Sequence, residues 1–257
     1  MTSPARAIAL LGLFTGERPV WATDEMIDTL GYARATGYRY VKDLVEAGLL
    51  QKVSAGRYAL GGRIIELDYQ LRRSDPVLLA AAPAMERLAA DTGVDAVLSV
   101  LFGGPKVIDV HRAVASGSTL HLSYGRGRPR PLFRSGAPKI LLSGLARGPL
   151  LKLYERHADE IAASGMGTNW AAFRSNLTRL RRARFYRSSG ELEPGLGSAV
   201  VPVLNADGDT VAALALVGTE QRIMGSAESA LRAPLDATAA AIGAALHAST
   251  AHGPRAP

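Results

Sequence analysis

Residues 23–48 read TDEMIDTLGYARATGYRYVKDLVEAG, and this stretch decides the fold. Thr23 is suited to be the N-cap of a first short helix, and Asp24 and Glu25 would lie at the positive end of its dipole. Gly31 can end that helix in a left-handed conformation, which only glycine adopts at little cost. A second helix follows from Arg34. The stretch therefore predicts two short helices joined by a tight turn.

The second helix, predicted over 34–48, has an inward stripe with the helical spacing i, i+3, i+4, i+7. The residues of this stripe are Gly37, Tyr40, Val41, Leu44, Val45 and Gly48. The remaining positions are small or cationic with one aromatic, as a helix needs if it enters a major groove and touches base edges and phosphates. These candidate DNA-binding residues are Arg34, Ala35, Thr36, Tyr38, Arg39 and Lys42.

Residues 49–60 continue with the pattern of a two-stranded hairpin whose tip lies within 53–58. A hairpin at this place predicts a wing over the adjacent DNA backbone, with Arg57 as its basic contact. The alternative is a purely structural helix pair, because two amphipathic helices joined at a glycine are common in all-α domains.

Composition agrees with a small module plus a larger domain. The chain has 257 residues, of which 47% are hydrophobic. A net charge of +7 and a pI near 9.9 are compatible with a polyanionic partner, although most of the excess lies beyond residue 75. We interpret the arginine-rich stretches that hold this surplus mainly as solvated surface. They contain Arg126, Arg128, Arg130, Arg134 and Lys139, and then Arg174, Arg179, Arg181, Arg182, Arg184 and Arg187.

Cysteine is absent, which excludes disulfides, thiolate metal sites and cysteine nucleophiles. The five histidines, at 111, 121, 157, 247 and 252, are scattered without the spacing of metal ligands, so we expect no metal and no cofactor. Apolar runs are too short to span a membrane, and a signal segment is not seen. We therefore expect a soluble, cytoplasmic protein without a membrane partner.

After the wing, residues 60–73 show a narrow helical stripe that predicts a linker helix, which is expected to pair with its twin in a dimer. A helix kinked at Pro83 is predicted over 77–91, and the period then changes to that of strands. We predict strands at 96–102, 107–110, 119–124, 196–204 and 210–217, and helices at 135–145, 149–157, 171–183 and 226–247. Antiparallel strands flanked by helices on one side indicate an α+β sheet domain.

The chain resembles the IclR family of bacterial transcriptional regulators along nearly its whole length. In the first part the resemblance rests on RAT (34–36), YR (38–39), EAGL (46–49) and GRYALG (56–61). Further on it rests on LAADTG (88–93), PLFRSGAPK (131–139), EPG (193–195) and VVPV (200–203). The order and spacing of these motifs together make the resemblance specific.

This resemblance implies a winged helix-turn-helix over 1–60, a linker helix over 61–75 and a GAF-like α/β effector domain over 76–250, with a disordered tail at 251–257. It implies a transcriptional regulator that binds a double-stranded DNA operator as a dimer or tetramer. The same resemblance implies that a small organic acid modulates this binding.

The family's effector pocket maps onto two groups of residues in this sequence. Ser135, Gly136 and Ala137 would offer backbone N–H groups to a carboxylate at a helix N-terminus. Ser188, Ser198, Ala215 and Val217 would line the same cavity. Phe133 and Pro138 depart from the family's usual His and Gly, and of the matching positions at 198, 215 and 217 only Ser198 is polar. The resemblance with these departures implies an aromatic or otherwise hydrophobic carboxylate.

Two other functions stay open on the sequence. A hydrolase could use Ser135, Ser198 and His111, but the Gly-x-Ser-x-Gly elbow is missing, and Asp109 with His111 is better interpreted as part of a hairpin-end salt bridge. A DNA-binding architectural protein without an effector would not need the large second domain. We therefore predict a regulator rather than an enzyme.

Overall fold

The computed structural model describes residues 2–102 and 105–251. The chain divides into two compact units, with the boundary between Ser74 and Asp75. Except for residue 251, the predicted disordered tail lies outside the described residues, and so do Gly103 and Gly104 of the first predicted strand turn.

The N-terminal unit is a helix-turn-helix with a small antiparallel sheet. Its elements are α1 (Ser3–Ala9), a 3-10 turn (Leu10–Leu13), β1 (Trp21–Ala22), α2 (Thr23–Leu30), α3 (Arg34–Glu46), β2 (Leu50–Ser54), β3 (Arg57–Leu60) and α4 (Arg63–Ser74). The sheet has the order β1-β3-β2, so the predicted two-stranded wing gains a third strand. Trp21 pairs with Tyr58 and Ala22 with Arg57. A strand of two residues is too short to show any period in the sequence.

The prediction of Thr23 as the N-cap of α2 is wrong, because the strand pairing starts the helix one residue earlier. The N-cap is Ala22, which is extended at φ −81° and ψ 149° and donates its N–H to Glu25 Oε2 over 3.0 Å. Thr23 is the first helical residue, and its N–H donates to the carbonyl of Gly56 over 3.1 Å. At the other end, Gly31 adopts the predicted left-handed conformation, with φ 66°.

The crossing of α2 and α3 depends on a close contact at Gly37. A Cβ atom at this position would lie 2.3 Å from Ile27 Cγ1, so only glycine allows the two helices to approach this closely. The other inward residues of α3 that are buried as predicted are Tyr40, Val41 and Leu44. Val45 is only partly buried, and Gly48 lies beyond the end of the helix with φ 70°.

The linker helix α4 begins at Arg63 rather than at residue 60, because Leu60 still pairs with Leu50 in the hairpin. None of the residues of α4 is buried in the described structure. Ile65 is 76% exposed and Leu71 is 55% exposed. The helix therefore carries apolar surface that the described residues of this chain leave uncovered.

The C-terminal unit is built around one antiparallel sheet with the strand order β6-β5-β4-β9-β8-β7. Its elements are α5 (Pro76–Thr92), β4 (Asp95–Phe102), β5 (Lys106–Ala113), β6 (Pro129–Arg130), α6 (Gly136–Gly144), α7 (Arg147–Ala163), α8 (Trp170–Ala183), β7 (Tyr186–Ser189), β8 (Leu196–Leu204), β9 (Thr210–Thr219), α9 (Glu220–Gly225) and α10 (Glu228–Ala251). The mixed helix and strand content confirms the predicted α+β class.

Helices cover both faces of this sheet, so the expectation of helices on one side is wrong. Successive side chains of a strand point to opposite faces. Leu214 and Leu216 accordingly pack in one core with α5 and α10, whereas Ala213 and Ala215 pack in a second core with α6, α7 and α8. The sequence contains both sets of helices, but strand alternation alone does not say which helix belongs to which face.

Residues 119–124 form no strand, although their alternating apolar residues predicted one. Side chains satisfy their backbone groups instead of a neighbouring strand. Arg112 Nη2 donates to the carbonyl of Leu120 over 2.7 Å, and Glu193 Oε1 accepts from the N–H of Ser123 over 3.0 Å. These contacts compete with strand pairing for the same backbone groups.

Three helix and strand predictions need smaller corrections. The predicted closing helix at 226–247 begins at Glu228 and is preceded by the separate short helix α9. Helix α7 continues to Ala163 through an irregular turn at His157, where φ is −131°. Strand β7 was not predicted, because it follows directly on the arginine-rich helix and lacks apolar alternation.

Replacing Gly37 with alanine tests the close contact between α2 and α3. We expect Gly37→Ala to destabilise the N-terminal unit by about 1 to 3 kcal/mol through overpacking, although alanine has the higher helix propensity. Urea unfolding followed by Trp21 fluorescence in a Trp170→Phe background measures this unit. Gly12→Ala is the matched control, since a Cβ there meets nothing within 4 Å. An unchanged or higher urea midpoint for Gly37→Ala would contradict the packing argument.

Candidate functional site

The outward face of α3 carries the predicted DNA-binding residues. Arg34, Ala35, Tyr38, Arg39 and Lys42 are exposed, and Thr36 is partly exposed. Arg39 has no carboxylate within ion-pair distance among the described residues, and its guanidinium lies 5.6 Å from the centre of the neighbouring Tyr40 ring. Lys42 Nζ lies 3.6 Å from Glu46 Oε1. Arg39 is therefore the cation of this face that is least engaged within the chain.

Asp24 of α2 holds two of the predicted residues in place. Its Oδ1 accepts hydrogen bonds from Arg34 Nη2 over 2.9 Å and from the Tyr38 hydroxyl over 3.1 Å. These two hydrogen bonds lower the pKa of the Asp24 carboxyl, and the one from Arg34 has the larger effect. The sequence suggested for Asp24 only a role at the helix dipole, because a contact between residues 14 apart on two helices leaves no local pattern.

The wing hairpin projects Arg57 into solvent at the start of β3. Gly56 at the tip adopts φ 65°, which allows the tight turn. Lys52 on the neighbouring strand is also exposed. Sequence reasoning did not select this second cation of the wing, although its place before the hairpin tip could have indicated it.

In the C-terminal unit, Ser135 precedes α6 in an unusual conformation. Its φ is 70°, a value that non-glycine residues adopt at a cost in energy. The residue is only 4% exposed, and its Oγ has no hydrogen-bond partner among the described residues. Gly136 follows directly, and a Cβ there would lie 2.6 Å from Val200 Cγ2. The start of α6 is thus pressed against the sheet.

The carboxylate of Glu191 occupies the start of α6. Glu191 Oε2 accepts the N–H of Ser135 over 2.9 Å and lies 2.6 Å from Lys139 Nζ, and Oε1 accepts the Tyr186 hydroxyl over 2.6 Å. Lys139 also donates to the Tyr186 hydroxyl over 2.8 Å. An anion at a helix N-terminus is favoured by the helix dipole, and here the chain itself supplies that anion.

This cluster shifts the pKa values of its members in opposite directions. Burial by itself would raise the pKa of Glu191, but the hydrogen bonds from Lys139 and Tyr186 and the charge of Lys139 outweigh it, so that the pKa is lowered. Burial and the hydrogen bond to Glu191 raise the pKa of Tyr186. Glu191 is consequently held as a carboxylate and Tyr186 as a neutral phenol.

A cavity of about 30 Å³ lies beside this cluster. Four of the seven predicted effector residues line it, namely Ser135, Ser188, Ser198 and Val217. Its other lining residues are Leu122, Tyr124, Arg130, Leu192, Glu193, Leu196 and Gly197. The volume suffices for about one water molecule, whereas ligand pockets usually measure about 300 to 1,000 Å³. The cavity is therefore closed in this structure.

The structure does not bring the other three predicted effector residues to the cavity wall. Ala137 and Ala215 are buried in the core between the sheet and α6, at 4% and 3% exposure. Gly136 faces Val200 as described. Ser188 and Ser198 do meet, with their Oγ atoms 2.7 Å apart across strands β7 and β8.

Arg130 is the charged residue of the cavity that sequence reasoning missed as a site residue. Its stretch was interpreted as solvated surface, but the side chain is only 7% exposed. Arg130 Nε donates to Asp109 Oδ1 over 2.8 Å, and the same carboxylate accepts from Ser99 Oγ over 2.6 Å. Asp109 thus forms a buried ion pair with Arg130 of β6, and it lies within β5 and not at the end of the hairpin, where a salt bridge was expected.

In the described part of the chain, no helix combines the length and the apolar character needed to cross a membrane.

Two protein-family models match the chain in consecutive segments. The model described as "IclR helix-turn-helix domain" matches residues 3–54. The model described as "Bacterial transcriptional regulator IclR C-terminal" matches residues 71–244. The second match alone covers more than half of the chain.

Curated relatives and solved structures agree with these matches. The chain is 27% identical over 218 residues to the uncharacterized HTH-type transcriptional regulator RhmR of Escherichia coli. The aligned region covers 85% of this chain and 83% of the relative. The chain is also 27% identical over 223 residues to the p-hydroxybenzoate hydroxylase transcriptional activator of Acinetobacter baylyi, with 85% and 82% covered. An IclR homolog complexed with 4-hydroxybenzoate from Microbacterium hydrocarbonoxydans shares the fold, with a TM-score of 0.71, 23% identity, and 96% and 100% covered.

Acidification should remove the stability that Glu191 contributes to the C-terminal unit. Because the folded-state pKa of Glu191 is lowered, this stability is present above the unfolded-state pKa of about 4.3 and is lost as the pH falls through the folded-state value. We therefore expect Glu191→Gln to be less stable than the unchanged protein at pH 7, and the difference to shrink below about pH 4.3.

Urea unfolding at a series of pH values, followed by Trp170 fluorescence in a Trp21→Phe background, measures this difference. The exposed Glu155→Gln on α7 removes the same charge and serves as the control. A Glu191→Gln deficit that stays constant from neutral to acidic pH would show that the carboxylate charge does not stabilise the cluster.

Proposed function

Because the chain belongs to the IclR family of bacterial transcriptional regulators, we propose that it binds a DNA operator as a dimer through α3 and the wing. A small aromatic carboxylate, binding in the C-terminal unit, changes that affinity. In this proposal the unit up to Ser74 binds DNA and the unit from Asp75 senses the effector. The observation that carries the DNA-binding part is the exposed face of α3, on which Arg39 has no carboxylate within ion-pair distance among the described residues.

The proposed contacts follow from the chemistry of this face. Arginine binds guanine edges and phosphates in a two-pronged geometry, and small residues such as Ala35 and Thr36 let the helix lie deep in the groove. Arg57 and Lys52 on the wing would contact the adjacent phosphates, which fix register without reading sequence. Arg34 and Tyr38 would contact DNA in the orientation set by Asp24.

A dimer is proposed because α4 leaves apolar side chains uncovered. Ile65 and Leu71 are more than half exposed, and none of the residues of α4 is buried among the described ones. Pairing of two α4 helices would bury this surface, with a gain of about 25 cal/mol for each Å² removed from water. The same pairing would place two recognition helices on the half-sites of a palindromic operator. A tetramer would be a pair of such dimers.

An aromatic carboxylate is proposed for two reasons. The residues around the closed cavity combine apolar side chains, such as Leu122, Leu196 and Val217, with Ser135, Ser188 and Ser198. If the cavity opened, they would offer a ring an apolar wall and its substituents polar partners. One structural neighbour is complexed with 4-hydroxybenzoate. Effector binding would change operator affinity by its differential affinity for two arrangements of the protein, typically about 1 to 3 kcal/mol.

We do not propose an enzymatic activity. Ser198 Oγ lies 2.7 Å from Ser188 Oγ, and the carboxylate of Asp109 is bound by Arg130 and Ser99. These contacts engage two of the groups considered for a hydrolase, Ser198 and Asp109, and the matching families are regulators. As a regulator of bacterial genes, the protein would act in the cytoplasm, where the DNA lies.

Arg39→Ala tests the recognition face. We expect the loss of a base or phosphate contact to cost about 1 to 3 kcal/mol per half-site, and a symmetric dimer loses it twice. The measurement is fluorescence anisotropy with a duplex selected from a random pool by the unchanged protein. Arg182→Ala on α8 removes the same exposed charge from the other unit and should bind normally. Equal affinity of the Arg39→Ala and unchanged proteins would refute this role of α3.

Comparison of an acid with its amide tests the effector class. We expect 4-hydroxybenzoate to bind at least about tenfold more tightly than 4-hydroxybenzamide, because the start of α6 and Lys139 favour a negative charge. Isothermal titration calorimetry on the full chain measures both affinities. Ser198→Ala should weaken acid binding by only about 0.5 to 1.5 kcal/mol, since it removes one hydrogen bond. Equal affinities for acid and amide would rule out a carboxylate site.

A further inference from the structure

The start of α6 already binds a carboxylate, that of Glu191. Its three donors are a backbone N–H from Ser135, an ammonium from Lys139 and a phenol from Tyr186, at 2.9, 2.6 and 2.6 Å. Such a set would bind the carboxylate of a small organic acid in the same way. Lys139 is only 7% exposed, so its charge requires one carboxylate or another nearby.

The Oγ of Ser135 is an independent indication that a ligand belongs here. This atom is buried and lacks a hydrogen-bond partner in the described part of the chain, and Ser135 is one of the residues that line the cavity. A buried hydroxyl without a partner destabilises a fold, and native structures normally satisfy such a group. The positive φ of Ser135 adds to the cost of this arrangement. A ligand atom at the cavity would satisfy the hydroxyl.

The segment 190–195, which carries Glu191, has the features of a loop that can open and close over the cavity. It lies between β7 and β8, contains neither helix nor strand, and begins and ends at Gly190 and Gly195 with φ 63° and 81°. Between these glycines, Leu192 and Glu193 form part of the cavity wall. The N–H of Gly190 donates to the carbonyl of Leu196 over 2.9 Å, so the base of the segment is fixed while the part between the glycines is free of strand pairing.

We propose that Glu191 is a built-in competitor of the effector. The effector's carboxylate replaces that of Glu191 at the N–H of Ser135 and at Lys139, and segment 190–195 moves outward to admit the rest of the molecule. This inference rests on the proposed function, in which the effector is a small carboxylate. The exchange conserves charge, because one carboxylate leaves Lys139 as another arrives.

The competition makes the affinity depend on the tethered carboxylate. An intramolecular competitor acts at an effective concentration of the order of millimolar or above. The apparent affinity for an acid is therefore lowered in proportion to the fraction of time that the site is open. A neutral analogue would have to leave Lys139 without a counter-ion, and this selects for acids. Glu193, whose Oε2 accepts from Ser123 Oγ over 2.9 Å, holds the other side of the closed segment.

Titration of full-length variants with 4-hydroxybenzoate, benzoate and phenylacetate in a calorimeter tests the competition. Glu191→Gln keeps the side-chain shape and removes the competing charge, so it should bind the acid about tenfold more tightly or better. The exposed Glu155→Gln should bind as the unchanged protein does. Adding Lys139→Met to Glu191→Gln should abolish the gain, because both carboxylates use the same ammonium.

Each outcome decides between the two levels of the proposal. Unchanged or weaker binding by Glu191→Gln, with normal binding by the unchanged protein, overturns the competition and leaves the proposed effector class standing. A gain that survives Lys139→Met places the carboxylate elsewhere and also overturns it. Absence of binding to all three acids in every variant overturns the effector class and the competition together. Should Glu191→Gln fail to fold by thermal unfolding, Glu191→Asp, whose shorter side chain cannot span the same donors, must show the gain.

Discussion

Alternation along the central strands is the constraint on which the C-terminal unit depends. In β9, Leu214 and Leu216 serve the core with α5 and α10, and Ala213 and Ala215 serve the core with α6. The alanines on the second face are small and leave room for α6 to lie close to the sheet. At the start of α6 the approach is limited by the neighbouring strands, because a Cβ at Gly136 would meet Val200 of β8 and Tyr186 of β7.

The anion-binding property of that helix start belongs to the protein itself and not to a particular ligand. Helix N–H groups and a buried lysine require a negative charge, and any carboxylate of suitable reach satisfies them. The chain meets the requirement with Glu191, at a separation of 52 residues from Lys139. Because Glu191 supplies the anion, the site is stable when no ligand is bound. Its donors are already arranged for the carboxylate of a ligand.

The sequence predicts well wherever a pattern is local. Four of the six inward residues predicted for α3 are buried, and the hairpin of β8 with β9 is confirmed, because periodicity and turn residues report directly on burial. It fails where distant side chains decide. Residues 119–124 alternate like a strand, but Arg112 and Glu193 take their backbone groups. The sequence suggests a solvated Arg130, whereas the fold buries it in an ion pair with Asp109. The contact of Asp24 with Arg34 forms only where α2 and α3 cross.

The short strand β1 couples the wing to the helix-turn-helix. Trp21 and Ala22 pair with the wing strand β3, and the next residue, Thr23, starts α2 with its N–H on the carbonyl of Gly56 at the hairpin tip. The pairing and this hydrogen bond tie the wing to the two helices. In the proposed mode of DNA binding, the helix that would enter the groove is therefore held at a set distance from the wing that would contact the backbone. A bound duplex would then have to bend or twist to fit both, which would favour easily deformed base steps at positions that no side chain touches.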